Sequence, residues 1–169
     1  GISIAGGDPL LHPDIIEIVK MVKADGQKPI INTNGIALTK ELLTRLKKAG
    51  VYGFTFHIDS KQNRPGWKNK NELELNELRL YFAKMLKEAG NISCAFNSTV
   101  YEDTIHYIPQ MLKWAEDNID IVQVMVFILY RAVNNSEVDY YLGSQKIDMN
   151  ELIYNEVSEA RVDMKAPEV

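Results

Sequence analysis

The chain has 169 residues and a formal net charge of −4, and it is 46% hydrophobic and 25% charged. That length allows one domain with a real core, and the mild acidity gives no electrostatic reason to expect nucleic acid as a partner. No apolar run approaches the length needed to span a membrane, and a single cysteine, Cys94, excludes an internal disulfide framework and fits a reducing, cytoplasmic setting.

Gly1 to Ile4 is strand-like from the first residue, with no preceding element, and reads as a fragment cut just before or inside a strand. Its continuation, Gly6-Gly7-Asp8-Pro9, breaks the strand into a tight loop: the glycines let the backbone turn sharply, and Pro9 biases Asp8 toward an extended conformation. Pro13 and Asp14 suit a first helical turn, and Ile15, Ile16, Ile18, Val19 and Val22 form one apolar face up to a stop at Gly26. Pro29 to Ile31 is a short strand that ends in Asn32-Thr33-Asn34-Gly35. Thr39 caps the next helix, whose apolar positions are Leu42, Leu43, Leu46 and Ala49 and whose stop is Gly50.

The unit repeats. Val51 to Ile58 is a strand closing on His57-Ile58-Asp59-Ser60, and a polar loop runs from Lys61 to Asn71. Leu78, Phe82, Met85, Leu86 and Ala89 mark a helix stopped by Gly90. Ile92 to Phe96 is a strand ending at Asn97-Ser98-Thr99, and Ile108, Met111, Leu112 and Ala115 mark the next helix. Val122 to Leu129 is the last clear strand, ending at Tyr130-Arg131. Beyond it the pattern changes: a turn at Asn134 to Ser136, a short strand or loop at Tyr140 to Gly143, a helix from Asp148 to about Ala160, then a tail. The chain divides into a barrel-like part, 1–132, and an extension, 133–169.

Strands alternating with helices imply parallel strands with right-handed crossovers. Most strands read as apolar along their length, as expected when both faces are covered. The Gly-rich or polar strand ends at 6–9, 32–35, 57–60, 97–99 and 130–131 then share one rim, where ligands sit in such folds.

Gly6-Gly7-Asp8-Pro9-Leu10-Leu11-His12-Pro13 resembles the Gly-Gly-Glu-Pro segment of radical S-adenosylmethionine (SAM) enzymes, with Asp8 in place of the usual Glu. The resemblance covers residues 1–132. It implies an α/β fold, a partial TIM-like (βα)6 barrel of parallel strands with its first βα unit missing. It also implies a 4Fe–4S cluster that reduces SAM to a 5′-deoxyadenosyl radical, an electron donor such as flavodoxin or ferredoxin, and a small-molecule or peptide substrate. The chain departs from the family in lacking Cys-x-x-x-Cys-x-x-Cys. Alone it is therefore expected to be inactive and, with an open edge at Ile2 to Ala5, prone to associate.

The resemblance implies that the backbone of Gly6, Gly7, Asp8 and Pro9 holds the amino group of SAM; otherwise the segment is a structural turn. Thr33 and Asn34 lie on the rim near SAM or simply form an Asn-Gly turn. Asp59 and Ser60 contact the SAM ribose or cap a turn, and His57 is read as mainly structural. Asn97 and Thr99 end the fourth strand where the family places polar or methionine-contacting groups, or are simply structural. Arg131 meets a carboxylate, a phosphate or a surface acid. Cys94 reads as a buried thiol and His106 as a surface residue. The 61–71 loop, with four cations and Trp67, either overhangs the rim to hold an anionic substrate or is solvated surface. The rival readings are another TIM-like enzyme with an anion at this rim, and a non-catalytic α/β binding domain.

Overall fold

A computed structural model describes residues 1–90, 92–130 and 140–147. Arg131, the turn expected at 134–136, the helix expected from 148 and the tail lie outside the described residues. The chain divides into two units, 1–128 and 129–169.

The first unit runs β1 (Ile2–Ile4), α1 (Ile15–Ala24), β2 (Pro29–Thr33), α2 (Lys40–Ala49), β3 (Gly53–His57), α3 (Asn76–Ala89), β4 (Ser93–Val100), α4 (Ile108–Asp117) and β5 (Val124–Leu129). The strands form one sheet in the order β1-β2-β3-β4-β5. The first three pairings are parallel, with Ile31 opposite Phe54 and Phe56 opposite Phe96. A five-stranded sheet of consecutive βα units is the α/β architecture of a partial TIM-like barrel. In the second unit, β6 (Tyr140–Leu142) and β7 (Gln145–Ile147) pair antiparallel, so the Tyr140 to Gly143 segment is half of a hairpin turning at Gly143, φ +63°.

Local chemistry sets most boundaries. The Thr39 hydroxyl accepts the Leu42 N–H at 3.1 Å and opens α2, and Gly50 closes it in the left-handed region at φ +95°. Gly35 is required twice over. Its φ is +77°, and a Cβ there would stand 2.7 Å from the Phe82 ring and 3.1 Å from that of Phe56. One boundary differs from the sequence reading: β4 continues through Asn97, Ser98 and Thr99 to Val100, so these residues are strand, not the loop after it. Burial alternates along β4, with Cys94, Phe96, Ser98 and Val100 buried between half-buried neighbours, and pairing with β3 carries the strand on as far as Asn97.

The helices cover one face of the sheet. Ile31, Phe54, Phe56 and Phe96 on that face pack with Leu43 and Leu46 of α2 and Phe82 and Leu86 of α3. The Phe56 and Phe82 rings stack at 4.4 Å, and burying each such side chain contributes roughly 1.5–3 kcal/mol. The expectation of two covered faces does not hold: Ile30, Asn32, Thr55, His57, Ala95, Asn97 and Thr99 are only partly buried. Alternation hides this in the sequence, because residues of period two send polar and apolar groups to opposite faces of the same strand.

Within the covered side lies an ion pair the sequence reading did not name. Arg79 of α3 is 0% exposed and Glu72, just before that helix, 1%. Arg79 Nη2 donates to Glu72 Oε2 at 2.7 Å and to the Ile58 carbonyl at 2.8 Å; Nη1 donates to the Glu72 carbonyl and Asn76 Oδ1. Glu72 also accepts the Ser60 N–H at 2.7 Å and the Ser98 hydroxyl at 3.3 Å. Burial pushes the Arg79 pKa down and the Glu72 carboxylate opposes that. Removing one member strands the other charge out of water. Arg79→Met should therefore cost about 3–5 kcal/mol in urea unfolding. A cost under about 1 kcal/mol, the scale of an exposed pair, would mean the pair does not hold this region together.

Candidate functional site

The rim is built from two hydrogen-bonded clusters and an arginine that links them. The first joins the loop after β1 to the end of β2. Asp8 accepts the Leu10 N–H at 3.0 Å, which starts the short 3-10 helix Pro9–Leu11. The Thr33 hydroxyl reaches both Asp8 oxygens at 2.8 Å, and the Asn34 N–H reaches Oδ2 at 3.0 Å. Thr33 in turn accepts the Gly35 N–H at 2.9 Å, and Asn34 Oδ1 accepts the Ile36 N–H at 2.8 Å. Asp8, Thr33 and Asn34 thus hold each other. Gly6 and Gly7 stay exposed beside them, and a Cβ on either would meet nothing within 4 Å. Pro9 is buried.

The second cluster closes β3 and β4. His57 Nε2 lies 3.0 Å from Asp59 Oδ2 and 3.0 Å from Thr99 Oγ1. The His57 side chain is 42% exposed and that of Asp59 3%. Asp59 also accepts the Lys61 N–H at 3.1 Å. A proton on Nε2 satisfies the carboxylate and leaves the Nδ1 lone pair free, the base-and-orienter arrangement of an imidazole beside a buried acid. His57 is therefore not a core residue. It pairs with Asn97 across the β3–β4 ladder, on the open face. Ser60 meets Glu72 only through its backbone.

Arg64 links the two clusters. It is 6% exposed, and Nη2 donates to the carbonyls of Asn34 and His57, the latter at 3.1 Å. Burial pushes its pKa down, while Asp59 and then Asp8 pull it back up. Its Nε is buried without a partner. In the 61–71 loop, expected either to overhang the rim or to be solvated surface, Arg64 is spent on strand ends, Trp67 packs against the core, and Lys70 pairs with Glu74 at 2.8 Å. Lys61 pairs with Asp103, and these half-exposed groups bridge the loops after β3 and β4. His106 is exposed, as expected.

The sequence reading missed Glu72, Arg79 and the position of His57. Arg79 had a signal. It shares the spacing of Leu75, Leu78, Phe82 and Leu86, so a charge stands on an apolar stripe, where it requires a buried partner. No group of three or more His, Cys, Asp or Glu among the described residues is arranged to hold a metal ion. No helix among them is long and apolar enough to cross a membrane.

The chain matches the family model described as the radical SAM superfamily over residues 1–115. It is 24% identical over 163 residues to the AdoMet-dependent heme synthase of Methanosarcina barkeri, covering 96% of this chain and 46% of that one. It is 29% identical over 128 residues to the probable GTP 3′,8-cyclase of Methanococcus maripaludis, covering 75% and 42%. The chain thus spans less than half the length of these curated relatives. The crystal structure of Streptococcus suis SuiB bound to S-adenosylmethionine superposes with a TM-score of 0.55 at 17% identity, over 78% of this chain and 30% of that one.

The second cluster makes a spectroscopic prediction. In nitrogen-15 NMR of histidine-labelled protein, the neutral form of His57 should carry its proton on Nε2, and Asp59→Asn should redistribute it toward Nδ1. A predominant Nδ1–H form in the unsubstituted protein would mean that Asp59 does not orient the ring.

Proposed function

Because the chain belongs to the radical SAM superfamily, we propose that its strand-end rim is the SAM-binding part of a radical SAM enzyme. The observation that carries this reading is the open space over Gly6 and Gly7, beside a loop fastened at Asp8. In this reading the main chain of Gly6 to Pro9 faces the amino acid end of SAM. Thr33 and Asn34 act from beneath: they hold Asp8 and so fix the angle of the loop. Asp8 serves here where the family usually has Glu. Its shorter carboxylate closes on the Thr33 hydroxyl and the Asn34 N–H together. Asp59 works through His57, while the Ser60 hydroxyl and the Asn97 amide are the polar groups left for ligand. SAM, when bound, supplies the radical precursor of the family's chemistry.

The residues present do not fit a 4Fe–4S cluster. Such a cluster takes thiolate ligands and, to leave one iron for SAM, three of them. The chain has Cys94 alone. It is 1% exposed in β4, and burial pushes its thiol up to about 12, so it stays protonated. In our reading, the cluster thiolates of the working enzyme come from residues outside these 169. Cleavage of SAM, a reducing partner such as flavodoxin or ferredoxin, and a small-molecule or peptide substrate belong to that larger protein. The division into a barrel part, 1–132, and a substrate-specific extension, 133–169, is part of the same proposal.

Two measurements test this. Gly7→Val adds a branched side chain into open space, so the fold should be undisturbed while SAM affinity by calorimetry falls at least about tenfold, or about 1.4 kcal/mol. Equal affinity with an unchanged fold would defeat the assignment of the loop. After anaerobic reconstitution of this chain, iron and sulfide should stay far below one cluster per chain. A stoichiometric 4Fe–4S absorption spectrum would show that other side chains replace the thiolates.

A further inference from the structure

Below the rim, the open face of the sheet forms a cavity of about 440 Å³, a volume suited to a small organic molecule. Its walls come from β2, β3, β4 and β5. Asn32, Thr55 and Asn97 present amide and hydroxyl groups from one side, and Val124 and Val126 present aliphatic ones from the other. No Asp, Glu, Lys, Arg or His lines it among the described residues. That is unusual for this chain, a quarter of whose residues are charged.

The polar groups are not used up. Asn32 Nδ2 donates to Ser3 Oγ at 2.8 Å, which steadies the amide and leaves its oxygen to accept. Among the described residues the Thr55 hydroxyl and the Asn97 amide have no side-chain hydrogen-bond partner, and both residues are half-buried. Across from them Val124 is 49% exposed and Val126 39%. The framework that holds the strands lies on the other face, in Ile31, Phe54, Phe56 and Phe96. The open-face groups can therefore serve a ligand without weakening that core.

We infer that this cavity binds an uncharged group that carries a hydrogen-bonding edge and an apolar face, such as a carboxamide or a neutral heteroaromatic ring. The edge meets the Thr55 hydroxyl and the Asn32 amide oxygen, and the flat face lies on Val124 and Val126. A carboxylate or ammonium would find no opposite charge among the described lining residues to offset the part of its hydration it gives up, and neutral dipoles repay that cost only in part. The inference rests on the SAM reading in one respect. It names the class of substrate that would lie beside the rim, with the His57 Nδ1 lone pair at the upper end of the same face.

The test uses three probes of nearly one shape: benzamide, benzoate and benzylammonium. Each is titrated into the full chain while backbone amide resonances are followed. Benzamide should bind saturably in the millimolar range and shift Thr55, Ala95, Val124 and Val126, while the two ions bind at least about tenfold more weakly. Thr55→Val should weaken benzamide about fivefold, the worth of one hydrogen bond. Ala95→Asp should abolish its binding; if that variant does not fold, the Thr55→Val result stands in its place. Ions that bind as tightly as benzamide, shifts confined to another surface, or no saturable binding of any probe would each overturn the inference. SAM titrated into the same samples keeps the two readings apart. Loss of SAM binding in Gly7→Val with benzamide unaffected supports both, whereas SAM binding without benzamide binding removes this inference alone.

Discussion

The geometry of the rim depends on a charge pair kept out of water. Glu72 and Arg79 are both almost completely buried, and their attraction alone would not repay the cost of dehydrating them. The balance comes from the backbone groups they satisfy. Arg79 holds the Ile58 carbonyl, and Glu72 holds the Ser60 N–H, so the chain leaving β3 is gripped on both sides of Asp59. Ser98 ties the same carboxylate to β4. Asp59 can therefore sit 3% exposed beside His57 without any direct bond to α3.

Arg64 continues this logic toward β2. Its guanidinium bonds to the Asn34 carbonyl just past β2 and to the last carbonyl of β3, and Asp59 and Asp8 supply the neighbouring negative charge. Asp8 then fastens the loop after β1 to Thr33 and Asn34. Four charged side chains, Asp8, Asp59, Arg64 and Glu72, are thus directed inward and spent on backbone, hydroxyl, imidazole and guanidinium groups. What the rim leaves outward is mostly neutral: the Gly6 and Gly7 main chain, the Ser60 hydroxyl, the Asn97 amide and one imidazole edge. A site organised this way fixes its shape with charges and meets its ligands with dipoles. That arrangement agrees with the lack of ionic lining in the cavity below.

Membership of the radical SAM superfamily and the composition of the chain pull in different directions. The family model spans residues 1–115, and the βα units fold as such a barrel requires. Yet the one cysteine lies inside a strand with a thiol too basic to ionise near neutrality. The rim and the cluster ligands are thus separable in chemical terms. One is made from strand ends held by long-range hydrogen bonds, and the other would need three thiolates on a loop of their own.

The order of strands and helices was legible in the sequence because it follows from short-range rules. Apolar spacing marked the helices, Thr39 and Gly50 bounded α2, and Gly6 and Gly7 announced the loop after β1. Each is decided by sterics and hydrogen bonds within about four residues. The partners of the charged and polar residues were not legible. Asp8 meets Thr33 across 25 positions, His57 meets Thr99 across 42, and Ser98 meets Glu72 across 26. Arg64 lay in a loop read as either an anion-holding overhang or solvated surface, and it is buried against two strand-end carbonyls. By itself the sequence determined which segments become strands and helices, and in what order. Only the tertiary structure decided which polar groups lose water together and which sheet face stays open, because desolvation depends on what packs above a residue, not on its neighbours in the chain.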